Sequence, residues 1–249
     1  MIYSDLHAHT NFCDGKNSPE EMVLSAIDKG LKEIGLVVHA YTEFDAEYCV
    51  DKGGEACFQK EMARLKDKYA DKIKVLCGIE QDVHSTSPTD GFDYVLVSNH
   101  YFKVNGKYYN VDFNEEYFKR VVKERFGGDY YSASENYFEN LVTSPFMKKA
   151  DIIGHFDLIS KFNENDKLFD SENPRYVSAY TSALKELVKI NKPFELNTGA
   201  ISRGYRTHPY PSGKQIQIIK SLGGKLILSS DAHRSENLAF KFDEFESLL

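Results

Sequence analysis

Seven short apolar runs alternate with helical segments along this chain. That alternation constrains the fold more than any other feature. The runs are "IYSDLH", "LKEIGLVVHA", "KIKVLCGIE", "FDYVLVSNH", "DIIGHFDLI", "PFELN" and "KLILSSDAH". Several are continuous rather than alternating, as expected of strands buried on both faces. Between them lie helical patterns. In "NSPEEMVLSAIDKG", Ser18 suits the N-cap and Pro19 the first turn. Glu20 and Glu21 suit the positive helix end, and Gly30 suits the stop. Residues 55–69, "NPRYVSAYTSALKELVKIN" and "SGKQIQIIKSLGG" also have helical spacing, and "SENYFENLVTSPFMKKA" reads as a helix broken near Pro145. A short helical tail ends the chain. Strand–helix alternation implies a parallel sheet with helices outside. No G-x-G-x-x-G or Walker loop opens any helix, so closure into a barrel is expected rather than a nucleotide-binding open sheet.

The 249 residues form one unit on this reading, 1–249, with no linker, repeat or low-complexity segment. A tyrosine-rich stretch at about 101–131 is too long for a simple connection and reads as an insertion. The net charge of −7 argues against a nucleic-acid binder, which normally presents a basic face. No run of about 18 apolar residues is present, so no membrane span is expected. No secretion signal is visible, and the four cysteines lack C-x-x-C spacing. Reduced thiols in a cytoplasmic protein are expected. Cys13 reads as a packing residue rather than a redox group. Nothing in the sequence points to an oligomeric state.

The histidines fall at equivalent places. His7, His9, His39, His100 and His155 stand at or just past strand ends, as do Glu80, Asp231 and His233. In a parallel barrel all these ends converge on one mouth. Residues more than two hundred positions apart therefore meet. Burying so many titratable groups together without a metal would be costly. Imidazole and carboxylate donors suit Zn, Mn or Fe. His7 and His9, two apart on a strand, point to the same face and can serve one ion. Nine candidates, His7, His9, Asp14, His39, Glu80, His100, His155, Asp231 and His233, exceed the needs of one ion and imply two or three divalent metals. Glu80 could bridge two of them. Asp14 has an alternative reading as an ordinary Asp-Gly turn, and Asp5 reads as a supporting residue rather than a ligand.

The motifs "HAHTNFCDG", "GIE", "SNH", "GHFDLI" and "SSDAH" resemble, in order, those of the PHP (polymerase and histidinol phosphatase) superfamily. "NGKYYNVDF", "GHFDLISKF" and "ELNTGAISRGYRTHPYPS" resemble its monofunctional histidinol-phosphate phosphatases. The resemblance implies a distorted (β/α)7 TIM-like barrel with its active site at the C-terminal strand ends. It also implies a trinuclear centre of Mn, Fe or Zn held by the nine residues above. The implied reaction is hydrolysis of L-histidinol phosphate to L-histidinol and phosphate, a step of histidine biosynthesis. A metal-bridging hydroxide is the expected nucleophile. Asp231 or His233 could pass the proton to the leaving alkoxide. The family often shows "NTSGLR" where this chain has "NTGAISRGYR", which leaves open which arginine contacts phosphate. Arg203 is the first candidate, Arg206 and Lys161 are others, and His208 could orient phosphate or substrate. Tyr101, Tyr108, Tyr109, Tyr130 and Tyr131 either cover the substrate imidazole or pack the insertion. His84 reads as a loop residue, and Asn197 could line the mouth. Two other readings stay open: a PHP-type hydrolase acting on nucleotides or nucleic acid, and a non-catalytic barrel holding metal for structure.

Overall fold

The computed structural model describes residues 4–249. Ile2 and Tyr3, placed by the sequence in the first strand, lie outside the described residues. In chain order the elements are β1 (Ser4–His9), α1 (Pro19–Asp28), β2 (Glu33–His39), α2 (Gly54–Lys68), β3 (Lys74–Asp82) and β4 (Tyr94–Ser98). A hairpin follows, β5 (Tyr101–Val104) and β6 (Lys107–Asn110), then α3 (Glu115–Arg125) and α4 (Tyr130–Thr143). The remainder is β7 (Ile152–Ile153), α5 (Pro174–Leu187), β8 (Phe194–Asn197), α6 (Gly199–Ser202), α7 (Gly213–Ser221), β9 (Leu226–Ser229) and α8 (Phe242–Phe245).

Seven strands form one parallel sheet in the order β1-β2-β3-β4-β7-β8-β9. The sheet is nearly a closed barrel. Just past β9, the Ala232 carbonyl accepts from the His9 amide at 2.8 Å. Asp5 fastens the same seam: its buried carboxylate accepts from the Ser230 amide at 3.1 Å and the Ala239 amide at 2.9 Å. The supporting role expected for Asp5 is what the structure shows. Outside, α1 and α2 cover Ile34, Leu36, Val38 and Val75. On the opposite side α4 and α5 cover Ile153, Phe156 and Phe194. The start of α1 follows the sequence closely, with Ser18 and Glu21 forming a reciprocal capping box.

Leu6, Val37, Leu76, Leu96, Ile152 and Ile227 come from nearly every barrel strand and pack on Tyr94. A cluster drawn from so many strands can only face inward. Tyr94 crosses this interior, and its hydroxyl donates to the Leu6 carbonyl at 2.6 Å. Gly35 and Gly78 make the room. A Cβ on Gly78 would lie 2.3 Å from the Tyr94 ring, and one on Gly35 would lie 2.3 Å from its hydroxyl. Gly78→Ala is therefore expected to destabilise the fold by about 3 kcal/mol, read as a lower denaturant midpoint at constant slope. A midpoint like wild type would mean that Tyr94 can move aside, and that the glycine is not required.

Two departures from the sequence reading matter for the site. The expected strand "DIIGHFDLI" stops at Ile153. Gly154 lies so close to the side chains of Ser98 and Leu96 that no larger residue fits, and the chain then turns through a 3-10 segment, Leu158–Ser160. The short helix α6, directly after β8, was not expected.

Candidate metal centre at the barrel mouth

The nine proposed donors converge. His7 and His9 end β1, and their Nε2 atoms lie 3.0 Å apart. His39 ends β2, while Glu80 lies late in β3. His100 and His155 lie just past β4 and β7. Asp231 and His233 follow β9. Asp14 reaches the cluster through a tight turn in which the Gly15 amide donates to the Thr10 carbonyl at 3.1 Å. A Cβ on Gly15 would lie 2.6 Å from the backbone of His9 and Thr10, so the turn requires glycine.

Glu80 sits at the centre, almost wholly buried. Its Oε2 lies 3.2 Å from His7 Nε2, 3.3 Å from His9 Nε2 and 2.9 Å from His39 Nδ1. Its Oε1 lies 3.1 Å from His155 Nε2 and 3.5 Å from His100 Nε2. Asp231 Oδ1 is 3.6 and 3.5 Å from the Nε2 atoms of His7 and His9. On the open side, Asp14 Oδ1 is 3.6 Å from His39 Nε2, and its Oδ2 is 3.0 Å from His233 Nε2. Three overlapping donor groups result: His7, His9 and Glu80; His9, Asp14, His39 and His233; and His39, Glu80 and His100.

The donor set fits divalent metals on three counts. Asp14 Oδ1 is buried without a hydrogen-bond partner, and Glu80 Oε2, crowded by three imidazole nitrogens, makes no well-aligned hydrogen bond to any of them. The facing Nε2 atoms of His7 and His9 can share only one proton, whereas a cation satisfies both lone pairs. The nitrogen and oxygen donors match Zn, Mn or Fe. Further carboxylates aim the imidazoles. His7 Nδ1 donates to Glu195 Oε1 at 2.7 Å, and His100 Nδ1 donates to Asp82 Oδ2 at 3.1 Å. Each contact holds the ring in the tautomer that presents Nε2 to the cluster. The sequence reading missed Glu195 and Asp82. The available signal was an acid inside an otherwise apolar strand, "PFELN" and "GIEQD".

The electrostatics follow from burial and crowding. Burial, then the charges of His39 and His233, lower the His9 pKa to about 3. For His100 burial acts downward, but Glu80 and Asp82 outweigh it and lift the pKa to about 9. Burial opposes the charged form of Asp14, yet His39 and His233 hold its carboxyl well below the usual range. Burial and neighbouring Asp14 push the Cys13 thiol up to about 12, in keeping with a packing role.

A cavity of about 440 Å³ opens over the cluster, large enough for a small metabolite. Arg203 and Lys161 line it. Arg203 Nη2 lies 3.0 Å from Asp231 Oδ2, and its Nη1 donates to the Asp231 carbonyl at 3.1 Å. Lys161 Nζ donates to the Asp112 carboxylate at 3.0 Å. Arg206 and His208 are not brought here. They line a separate cavity behind the 157–161 turn, where Arg206 lies against Ser160 and over the Tyr210 ring. Of the two readings of the five tyrosines the structure favours packing, since none of them lines this cavity. Tyr101 is buried with its hydroxyl on Asp45, Tyr108 stacks on Phe44, and Tyr130 packs on Phe169. Tyr48 and Phe113 line the cavity instead. His84 sits beside Tyr108, and Asn197 binds Glu195 rather than the mouth.

Residues 5–199 match the PHP domain model. The chain belongs to the PHP domain family. A histidinol-phosphatase of Bacillus subtilis is 22% identical over 269 residues, covering 98% of this chain and 98% of that one. The crystal structure of hisK from Listeria monocytogenes has a TM-score of 0.82 at 22% identity, covering 97% of this chain and 99% of that one. Histidinol phosphate phosphatase of Lactococcus lactis, solved with zinc, L-histidinol and phosphate, has a TM-score of 0.73 at 21% identity, covering 99% and 92%. These likenesses carry the distorted TIM-like barrel. Among the described residues, no helix of this PHP protein is long and apolar enough to cross a membrane.

Proposed function

We infer that the protein is a metal-dependent phosphatase that hydrolyses L-histidinol phosphate to L-histidinol and inorganic phosphate, as the naming of its relatives suggests. The observation that carries this reading is Glu80. Its two oxygens face two sets of imidazoles at the floor of a cavity that also holds Arg203 and Lys161. The nine donors would hold two or three divalent ions, Glu80 offering one carboxylate oxygen to each set of imidazoles. When bound, such ions polarise phosphoryl oxygens and make water acidic near neutral pH.

The chain's own groups supply the rest. Arg203 and Lys161 present cationic donors to the phosphate oxygens. As the water oxygen bonds to phosphorus, the bond from phosphorus to the alcohol oxygen breaks. Asp231 or His233, both lining the cavity after β9, would take the water proton and return it to the leaving alkoxide. Asp231 sits at φ 49°, a backbone region uncommon for a residue with a side chain, as is frequent at functional positions. We read the chain as a single barrel unit, with the hairpin and α3 as its insertion, working in the cytoplasm on a small phosphomonoester.

The test is phosphate release by protein loaded separately with Mn, Fe or Zn. L-histidinol phosphate is expected to turn over with at least one of them and to fall at least about tenfold in rate after chelation. Unchanged activity in chelator would overturn the metal chemistry. Turnover of nucleotides or single-stranded DNA, with none of L-histidinol phosphate, would replace the substrate.

A further inference from the structure

The cavity behind the 157–161 turn, about 310 Å³ in volume, shares no lining residue with the metal cavity. Arg206 stands in it with its side chain only 9% exposed. The guanidinium hydrogen-bonds Ser160 Oγ and no other group among the described residues, and its Nε is buried without a partner. Carboxylate oxygens of Glu164 and Asp157 lie 3.7 and 3.9 Å away, near enough to balance its charge but too far to hydrogen-bond. A guanidinium has five N–H donors, and leaving buried ones unmade is costly. The start of α7, at Ser212, Gly213 and Lys214, lines the same cavity. The first amides of a helix have no intrahelical partner and carry partial positive charge. A Cβ built on Gly213 would meet nothing within 4 Å, so open space lies beside them. The lining also holds acids. Glu172 is taken by Lys214, and Glu164 by the Thr207 amide and hydroxyl. Asp166 is different: it is exposed, it has no ion pair among the described residues, and its carboxylate accepts only from the Ser171 amide at 3.2 Å.

We propose that this cavity is a second small-molecule site, which takes a zwitterion of the amino-acid class, its carboxylate on Arg206 and the α7 amides and its ammonium on Asp166. The unused groups decide the chemistry. Arg206 and the helix start offer donors to an oxyanion, and a planar guanidinium suits a carboxylate. A plain anion fits poorly, because Asp157, Glu164, Asp166 and Glu172 outnumber Arg206 and Lys214 in the lining. A plain cation leaves Arg206 with its donors unmade. A zwitterion adds no net charge and satisfies both, and the volume suits a ligand of that size.

The test is isothermal titration of the metal-loaded enzyme with the protein L-α-amino acids, one at a time. At least one is expected to bind with a Kd of about 1 mM or tighter. The tightest binder is then compared with the matching acid that lacks the amine. Arg206→Gln is expected to weaken both ligands at least about tenfold. Asp166→Asn is expected to weaken the amino acid about tenfold and leave the amine-free acid unchanged. Asp166 is exposed, so this variant tests the site even where loss of buried Arg206 prevents folding. Arg203→Ala, altered only in the metal cavity, is expected to bind the amino acid like wild type. Absence of any binding tighter than about 10 mM would overturn the proposal. So would wild-type affinity in both Arg206→Gln and Asp166→Asn, or binding lost in Arg203→Ala alone, which would put the ligand over the metals.

Discussion

Glu80→Gln is expected to abolish phosphatase activity, by about a thousandfold or more, while leaving the barrel folded. The side chain keeps its volume, so the packing around it is preserved. What it loses is charge and one of two equivalent oxygens. In the native chain Oε2 faces three imidazole nitrogens within 3.3 Å, and Oε1 faces His155 and His100. An amide presents one weak acceptor oxygen and one NH2, and the NH2 must point at imidazole lone pairs that would otherwise bind metal. A bridging role then fails on one side whichever way the amide is turned. Loss of several kcal/mol of phosphoryl and water activation corresponds to a rate loss of about a thousandfold. The checks are phosphate release and metal content per chain by elemental analysis, alongside a circular dichroism spectrum. Activity within tenfold of wild type at full metal content would remove Glu80 from the bridging position.

The barrel and most of this centre are legible in the sequence for one physical reason. Strands buried on both faces are continuous apolar runs, so a histidine or carboxylate ending such a run is conspicuous, as in "LVVHA" and "CGIE". What lies past a strand is harder to place. Arg203 and Arg206 are three residues apart, yet one lines the metal cavity and the other a cavity behind the 157–161 turn. The short helix α6 ends at Arg203, and the chain then turns at Gly204, φ 76°, before Arg206; the sequence hides this, since Gly199–Ser202 is too brief for a periodic signal. The tyrosines fall on the packing side of their two readings. Their density marks the insertion, but most of those rings are spent on packing it, and the aromatics that reach the cavity are Phe113 and Tyr48. Glu195 was hidden by its neighbours, since a single acid in a four-residue strand reads as ordinary variation until His7 is found on it at 2.7 Å.

Arg203→Ala is expected to lower kcat/KM on L-histidinol phosphate by about 100- to 1000-fold without stripping the metals. Two losses combine. The first is a charge-assisted grip on phosphate, worth about 2–3 kcal/mol where the donor is shielded from water. The second is the orientation of Asp231, whose carboxylate and carbonyl Arg203 holds at 3.0 and 3.1 Å. Gly199 makes that arrangement possible: a Cβ there would lie 2.8 Å from Asp231 and 3.0 Å from the guanidinium. Arg203→Lys separates the two parts. A lysine restores charge near the phosphate but cannot span both Asp231 acceptors with a planar fork, so it should recover only part of the loss. Steady-state kinetics with metal analysis decides between the roles. A drop in bound metal in Arg203→Ala would make the arginine a support for Asp231 as ligand, and unchanged kinetics would exclude it from phosphate binding altogether.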